Sequence, residues 1–165
     1  MELREILTRE GIPTGRIIEK HAARGADEYL QHAVVILRAP DGRYMLQQRS
    51  LRARFFAGKW DVTGGGVQAG ENSRQAAIRE VYEELGVTLK EKNLRFLFRE
   101  ISEQGRLIVD TYGAVAEVPE GGFRLAETEV NAVKLVSYGE YAEAVLPGRT
   151  PAFREALEKW ETACV

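Results

Sequence analysis

Residues Gly65–Val87 read GGVQAGENSRQAAIREVYEELGV, and the second half of this stretch predicts a helix. Asn72 suits the N-cap, and Gln75, three residues on, completes a capping box. Ala76, Ala77 and Arg79 to Leu85 suit a helix interior, and Gly86 suits the C′ position, where a left-handed residue ends the helix. Ala77, Val81 and Leu85 follow one another at four-residue steps with Ile78 beside them, a stripe for burial. Glu80, Glu83 and Glu84 stand at i, i+3 and i+4 and share the adjacent face, with no lysine interleaved. Carboxylates crowded in this way repel one another. A solvated acidic edge is one reading of such a run. A hard divalent cation among the three is the other, because Mg²⁺ and Mn²⁺ take oxygen ligands.

The spacing of the whole stretch favours the cation. Written G-x5-E-x7-R-E-U-x-E-E-x-G-U, with U aliphatic, it resembles the Nudix box at Gly65, Glu71, Arg79, Glu80, Val81, Glu83, Glu84, Gly86 and Val87. The resemblance implies an α/β fold, an α/β/α sandwich with a mixed sheet. It also implies a metal-dependent hydrolase that cleaves a nucleoside diphosphate linked to another moiety, or a similar organic diphosphate, with Mg²⁺ or Mn²⁺ as cofactor. By the same resemblance Glu80, Glu83 and Glu84 would hold the metal. A glycine carbonyl from Gly64 or Gly65, preferably Gly65, would join them. Arg79 would brace the carboxylates, and Glu71 would close the loop onto the helix. Glu83 is the first candidate for the general base, with Glu127 and Glu129 as alternatives; Glu84 and Arg79 complete the catalytic set.

Upstream of the box, HAVVIL (residues 32–37) is a nearly continuous apolar run, as in a buried strand. Ala39-Pro40-Asp41-Gly42 is a turn, and Tyr44–Arg49 pairs behind it. Arg49, Arg52, Arg54 and Lys59 put four cations within eleven residues, just before the glycines. Arginine suits bidentate phosphate contact, so Arg49 and Lys59 are candidate substrate-binding residues, while Arg52 and Arg54 read as solvated. Gly64-Gly65-Gly66 is expected to turn sharply and approach a ligand. Phe55, Phe56, Trp60 and Tyr112 could stack on a base, although core packing is the commoner use of such residues. Residues 1–30 read as an extension with two short strands, Arg4–Thr8 and Arg16–Glu19, around a turn, then a polar loop. His21 and His32 lack partners at a metal-ligand spacing.

Downstream, Leu94–Ile101, Leu107–Val118 and Val130–Val136 read as strands. Thr150 and Pro151 open a last helix running to about Thr162, with Phe153, Ala156, Leu157 and Trp160 on one face.

The 165 residues suit one domain. A formal net charge of −2 argues against nucleic-acid polymers as partners. No apolar run approaches the ~20 residues of a membrane span, and the charged start lacks the apolar core of a signal peptide. Cys164 is the single cysteine, so the expected compartment is the reducing cytoplasm. The expected partner is a small-molecule diphosphate, and a homodimer is possible. Residues 1–30, HAVVIL, QQRS and KWDVTGGG resemble the Nudix branch related to isopentenyl-diphosphate isomerases. The alternatives are therefore such an isomerase, which would need a cysteine near the box glycines, and a non-catalytic nucleotide-sensing module, which would be expected to have lost box glutamates.

Overall fold

In the computed structural model of the chain, which describes residues 2–164, the order of elements is β1 (Leu3–Leu7), β2 (Pro13–Glu19), β3 (Leu30–Arg38), β4 (Tyr44–Arg49), β5 (Trp60–Asp61), β6 (Thr63–Gly66), α1 (Ser73–Leu85), β7 (Leu94–Ser102), β8 (Leu107–Val115), β9 (Val130–Val136), α2 (Tyr138–Val145) and α3 (Pro151–Cys164). β1 and β2 form an antiparallel hairpin of their own. The other seven strands form one mixed sheet. Its centre is β3, which runs parallel to β8 along its whole length, with β7 antiparallel beyond. The other edge of β3 is shared: β6 pairs with its first half, from His32 to Val35, and β4 meets it at Arg38. β9 and β5 extend the sheet from β4.

The continuous apolar run of β3 follows from helices on both faces of the sheet. Ala33, Val35 and Leu37 pack with Val81 and Leu85 of α1 and with Tyr112 and Ala114 of β8. Ile36 points the other way, into a layer with Tyr44, Tyr141 of α2, and Phe153, Leu157 and Trp160 of α3. Each large apolar side chain buried this way contributes ~1.5–3 kcal/mol. Gly113 of β8 is small for a reason: a Cβ there would lie 2.7 Å from the Trp160 ring. The sandwich expected from the box is therefore the observed fold, with α1 on one face and α2 and α3 on the other. None of the described helices is long and apolar enough to cross a membrane.

Two local expectations differ from the structure. Gly64–Gly66 is a strand against β3, not a sharp turn. Its glycines are required by close approach: a Cβ on Gly64 would enter the backbone at Ala33, one on Gly65 the Glu80 carboxylate, and one on Gly66 the Arg4 guanidinium. Helix α2 has no counterpart in the sequence reading, although Ser137 and Glu140 form a capping box at its start. At eight residues its apolar pattern is short, and burial of Tyr141 and Val145 stabilises it.

Candidate active site

Helix α1 begins as its sequence requires. The Asn72 side chain accepts from the Gln75 N–H at 2.9 Å, and the Gln75 side chain accepts from the Asn72 N–H at 2.9 Å. Gly86 ends it in the left-handed region with φ 71°. Ala77, Val81 and Leu85 are fully buried in the core. Glu80 and Glu84, on the flank of that stripe, are buried as well, at 5% and 3% exposure. The bare backbone of β6 makes their burial possible. The Gly65 Cα lies beneath the Glu80 carboxylate, and the Gly64 N–H donates to Glu84 Oε2 at 3.1 Å.

The third carboxylate beside them is Glu129. Arg124 and Ala126 donate their N–H groups to the carbonyls of Leu85 and Glu84 at 3.0 and 3.2 Å, docking the preceding loop onto the end of α1. Ser50 N–H donates to the Glu129 carbonyl at 2.8 Å, fixing the loop from the β4 side. Glu80, Glu84 and Glu129 each offer a carboxylate oxygen, and these oxygens all lie within 4.8 Å of one another. Glu83 stands apart. Its side chain is 54% exposed and accepts from Arg79 Nη1 at 3.0 Å. The structure therefore groups two of the helix glutamates expected from the spacing with a loop carboxylate that the sequence offers only as an alternative general base, not as a metal ligand. Glu127 is exposed and outside the group.

Arg79 organises the acidic side chains. It donates to Glu71 Oε1 and Oε2 at 2.6 and 3.1 Å, to Glu80 Oε1 at 2.8 Å, to Glu83 at 3.0 Å and to the Gly66 carbonyl at 3.1 Å. Glu71 also accepts from the Gln68 N–H at 2.8 Å, which closes the loop onto the helix. Against the effect of burial, the bond from Arg79 and that N–H hold the Glu71 carboxyl below the usual range. Among the described residues Glu84 has no such cation. Burial, and then the charge of Glu80, push its carboxyl up to about 8 from the ordinary 4.5.

That displacement has a consequence for stability. A carboxyl whose pKa rises on folding makes its full contribution below the unfolded pKa and loses it as pH rises through the folded one. The metal-free protein should therefore lose stability as pH rises from about 4.5 to about 8, where Glu84 ionises in the unfolded chain but stays protonated in the folded one. Glu84→Gln should remove that penalty, so the variant's advantage should grow across this range by a few kcal/mol, about 1.4 for each unit of displacement. Denaturant unfolding of both proteins in EDTA checks this, and stability curves that stay parallel across the range would contradict it.

A cavity of about 250 Å³ opens beside the carboxylates, lined by Glu2, Lys20, Gln68, Arg79, Glu80, Glu83 and Glu129. The basic loop lies elsewhere. Arg49 Nε donates to the Phe55 carbonyl at 3.2 Å, and Lys59 Nζ sits 5.4 Å from the centre of the Phe56 ring, so neither lines the cavity. Phe55 and Phe56 are exposed, not core, and Tyr112 is buried, with its hydroxyl 2.8 Å from Ser73 Oγ. Burial and the charges of Arg4, Arg24 and Lys20 push His32 down to about 4, so it is a neutral structural residue at pH 7. Glu2 and Lys20 carry no local sequence signal, since nothing in a hairpin's pattern says what it packs against. Gln47 has none either: its buried amide donates to the Val62 carbonyl at 3.2 Å.

Comparison with known proteins bears on this geometry. A profile of the NUDIX domain matches residues 28–159. Nudix hydrolase 3 of Arabidopsis thaliana is 32% identical over 149 residues, 83% of this chain but 19% of that protein. An uncharacterised Nudix hydrolase of Pseudomonas aeruginosa, PA4841, is 35% identical over 99 residues, 58% of this chain and 55% of its own length. The chain thus spans about a fifth and just over half of these two relatives. The crystal structure of DR0079 from Deinococcus radiodurans superposes with a TM-score of 0.69 at 18% identity, covering 96% of this chain and 98% of that one. With the profile spanning the sheet, the box helix and both flanking helices, the chain belongs to the Nudix family.

Proposed function

We propose that the protein hydrolyses a diphosphate linkage in a small organic substrate with the help of Mg²⁺ or Mn²⁺. The observation that carries this reading is the grouping of Glu80, Glu84 and Glu129, three oxygen donors within 4.8 Å of one another. Two of them are buried, and among the described residues Glu84 lacks a cation of its own. Such a donor set fits a hard divalent ion, and the raised Glu84 pKa is what a buried ligand without its ion should have. Glu80 and Glu84 would hold the ion, with Glu129 or Glu83 completing the carboxylates and the Gly65 backbone passing beside Glu80. An ion held there supplies charge neutralisation at the phosphates and an acidified water.

The chain's own residues do the rest. Arg79 keeps Glu80 and Glu83 in place and offsets their repulsion. Glu83 and Glu129 are the acidic groups with access to solvent, so either can take the proton from an attacking water. The bare Gly64–Gly66 backbone leaves the buried carboxylates free of side-chain obstruction. Arg49 and Lys59 do not line the cavity, but they flank the loop that begins at Ser50, whose N–H meets the Glu129 carbonyl, and a contact with the far end of an elongated substrate is the role left to them. An isomerase reading finds no support: Cys164 ends α3 and packs in the α2–α3 layer, and none of the seven cavity-lining residues is a cysteine.

The test is a panel of nucleotide sugars, dinucleoside polyphosphates, nucleoside triphosphates and prenyl diphosphates with Mg²⁺ and Mn²⁺ in ¹⁸O-labelled water. Cleavage should release two phosphorylated products, with the label on one product's phosphate. Full activity in excess EDTA, or label found only on carbon, would overturn the mechanism.

A further inference from the structure

We propose that Lys20 is an anion-binding residue that receives a phosphate of the bound diphosphate, so that the N-terminal hairpin completes the substrate site. The proposal deepens the hydrolase reading and rests on it. The hairpin precedes the residues matched by the domain profile, which begin at 28. Even so, its Glu2 and Lys20 form one wall of the cavity whose other wall carries Arg79, Glu80, Glu83 and Glu129.

That wall is fixed in place. Ala69 N–H donates to the Leu3 carbonyl at 2.9 Å, tying β1 to the loop before α1. Lys20 N–H donates to the Glu2 carbonyl at 2.9 Å, so both cavity residues sit at the closed mouth of the hairpin. Arg4 is 4% exposed, and its guanidinium occupies the space that a side chain on residue 66 would need.

The two cations lining the cavity are not equivalent. Arg79 is engaged on every side by Glu71, Glu80, Glu83 and the Gly66 carbonyl. Among the described residues Lys20 has one ionic partner, Glu2 at 2.7 Å, and its side chain is 42% exposed. An ammonium has three donors, so Lys20 retains capacity that Arg79 lacks. Glu2 is also paired with Arg4, so two cations share one carboxylate. Against the desolvation of partial burial, Lys20 and Arg4 hold the Glu2 carboxyl below its usual range. A diphosphate with one phosphate at the carboxylate-held ion would direct its other charge into the cavity. Without Lys20 that charge would face the carboxylates of Glu2, Glu83 and Glu129 with only the fully engaged Arg79 as countercharge. A compact ammonium suits this task as a point charge.

Calorimetric titration of methylenediphosphonate, which cannot be hydrolysed, into the full chain saturated with Mn²⁺ tests the proposal without relying on turnover. Lys20→Ala should weaken binding tenfold or more. Lys20→Arg should stay within about threefold, and Glu2→Gln, which releases Lys20 from its partner, should bind as well as wild type or better. Arg16→Ala removes a hairpin cation that faces Glu28 and lies outside the cavity; it should change affinity less than twofold, separating a direct contact from general charge. If Lys20→Ala does not fold, Lys20→Gln carries the same expectation. Lys20→Ala binding within twofold of wild type, or a loss equalled by Arg16→Ala, would overturn the proposal, as would wild-type protein that does not bind the diphosphonate. Tight wild-type binding without hydrolysis of any diphosphate in the substrate panel would leave the subsite standing and remove the hydrolase reading instead.

Discussion

Glu84→Gln should lower kcat by a hundredfold or more at saturating Mg²⁺, while the folded structure persists. Glutamine keeps the volume and can still accept from the Gly64 N–H, which Glu84 does at 3.1 Å. It loses the anionic oxygen aimed at Glu80 and Glu129. Loss of one carboxylate from such a set weakens metal affinity, and changes even to the groups supporting a metal ligand typically cost ~10–100-fold. The buried position sharpens the effect, because little water can enter to replace the missing oxygen. Two measurements on one pair of proteins decide the matter: steady-state kinetics across a Mg²⁺ titration, and calorimetric binding of Mn²⁺. Unchanged kcat together with unchanged Mn²⁺ affinity would remove Glu84 from the centre. A loss of kcat that excess Mg²⁺ restores would confine its role to metal affinity.

Arg79→Ala should have the largest effect on stability. The guanidinium meets three carboxylates and one carbonyl, and Glu80 beneath it is 5% exposed. Removing it leaves a buried carboxylate without its cation, and breaking a buried pair in this way costs ~3–5 kcal/mol. Arg79 keeps some contact with solvent, so ~2–4 kcal/mol is the better expectation, a fall of ~5–15 °C in Tm for a chain of this size. Arg79→Lys should recover only part of the loss, since one ammonium cannot reproduce a fork spread over Glu71, Glu80 and Glu83. Mn²⁺ should restore stability to Arg79→Ala more than it adds to wild type, because the ion takes over part of the neutralisation. Thermal unfolding with EDTA and with Mn²⁺ measures both effects. An Arg79→Ala protein melting within 2 °C of wild type in EDTA would show that the carboxylates do not depend on it.

The two predictions draw on different layers of information. The face of α1 that carries Glu80, Glu83 and Glu84 follows from 3.6 residues per turn, and its ends follow from Asn72, Gln75 and Gly86. These are local rules, so the sequence alone determined the helix, its buried stripe and the crowding of acidic side chains beside it. The apolar run of β3 likewise determined a strand covered on both faces. Whether each acidic side chain turns inward or outward was decided by packing: Arg79 draws Glu83 to the surface, and the bare β6 backbone receives Glu80 and Glu84. The sequence also carried the glycines of β6, but they fit a turn and a strand equally well. Only the pairing with β3 chose between them. Glu129 lies 45 residues beyond Glu84, and Lys20 lies 60 residues before Glu80. Their arrival at one cavity depends on how β4 pairs with β9 and how the hairpin docks on the loop at Ala69. Those are long-range contacts between surfaces, and no short-range pattern encodes which surfaces will meet.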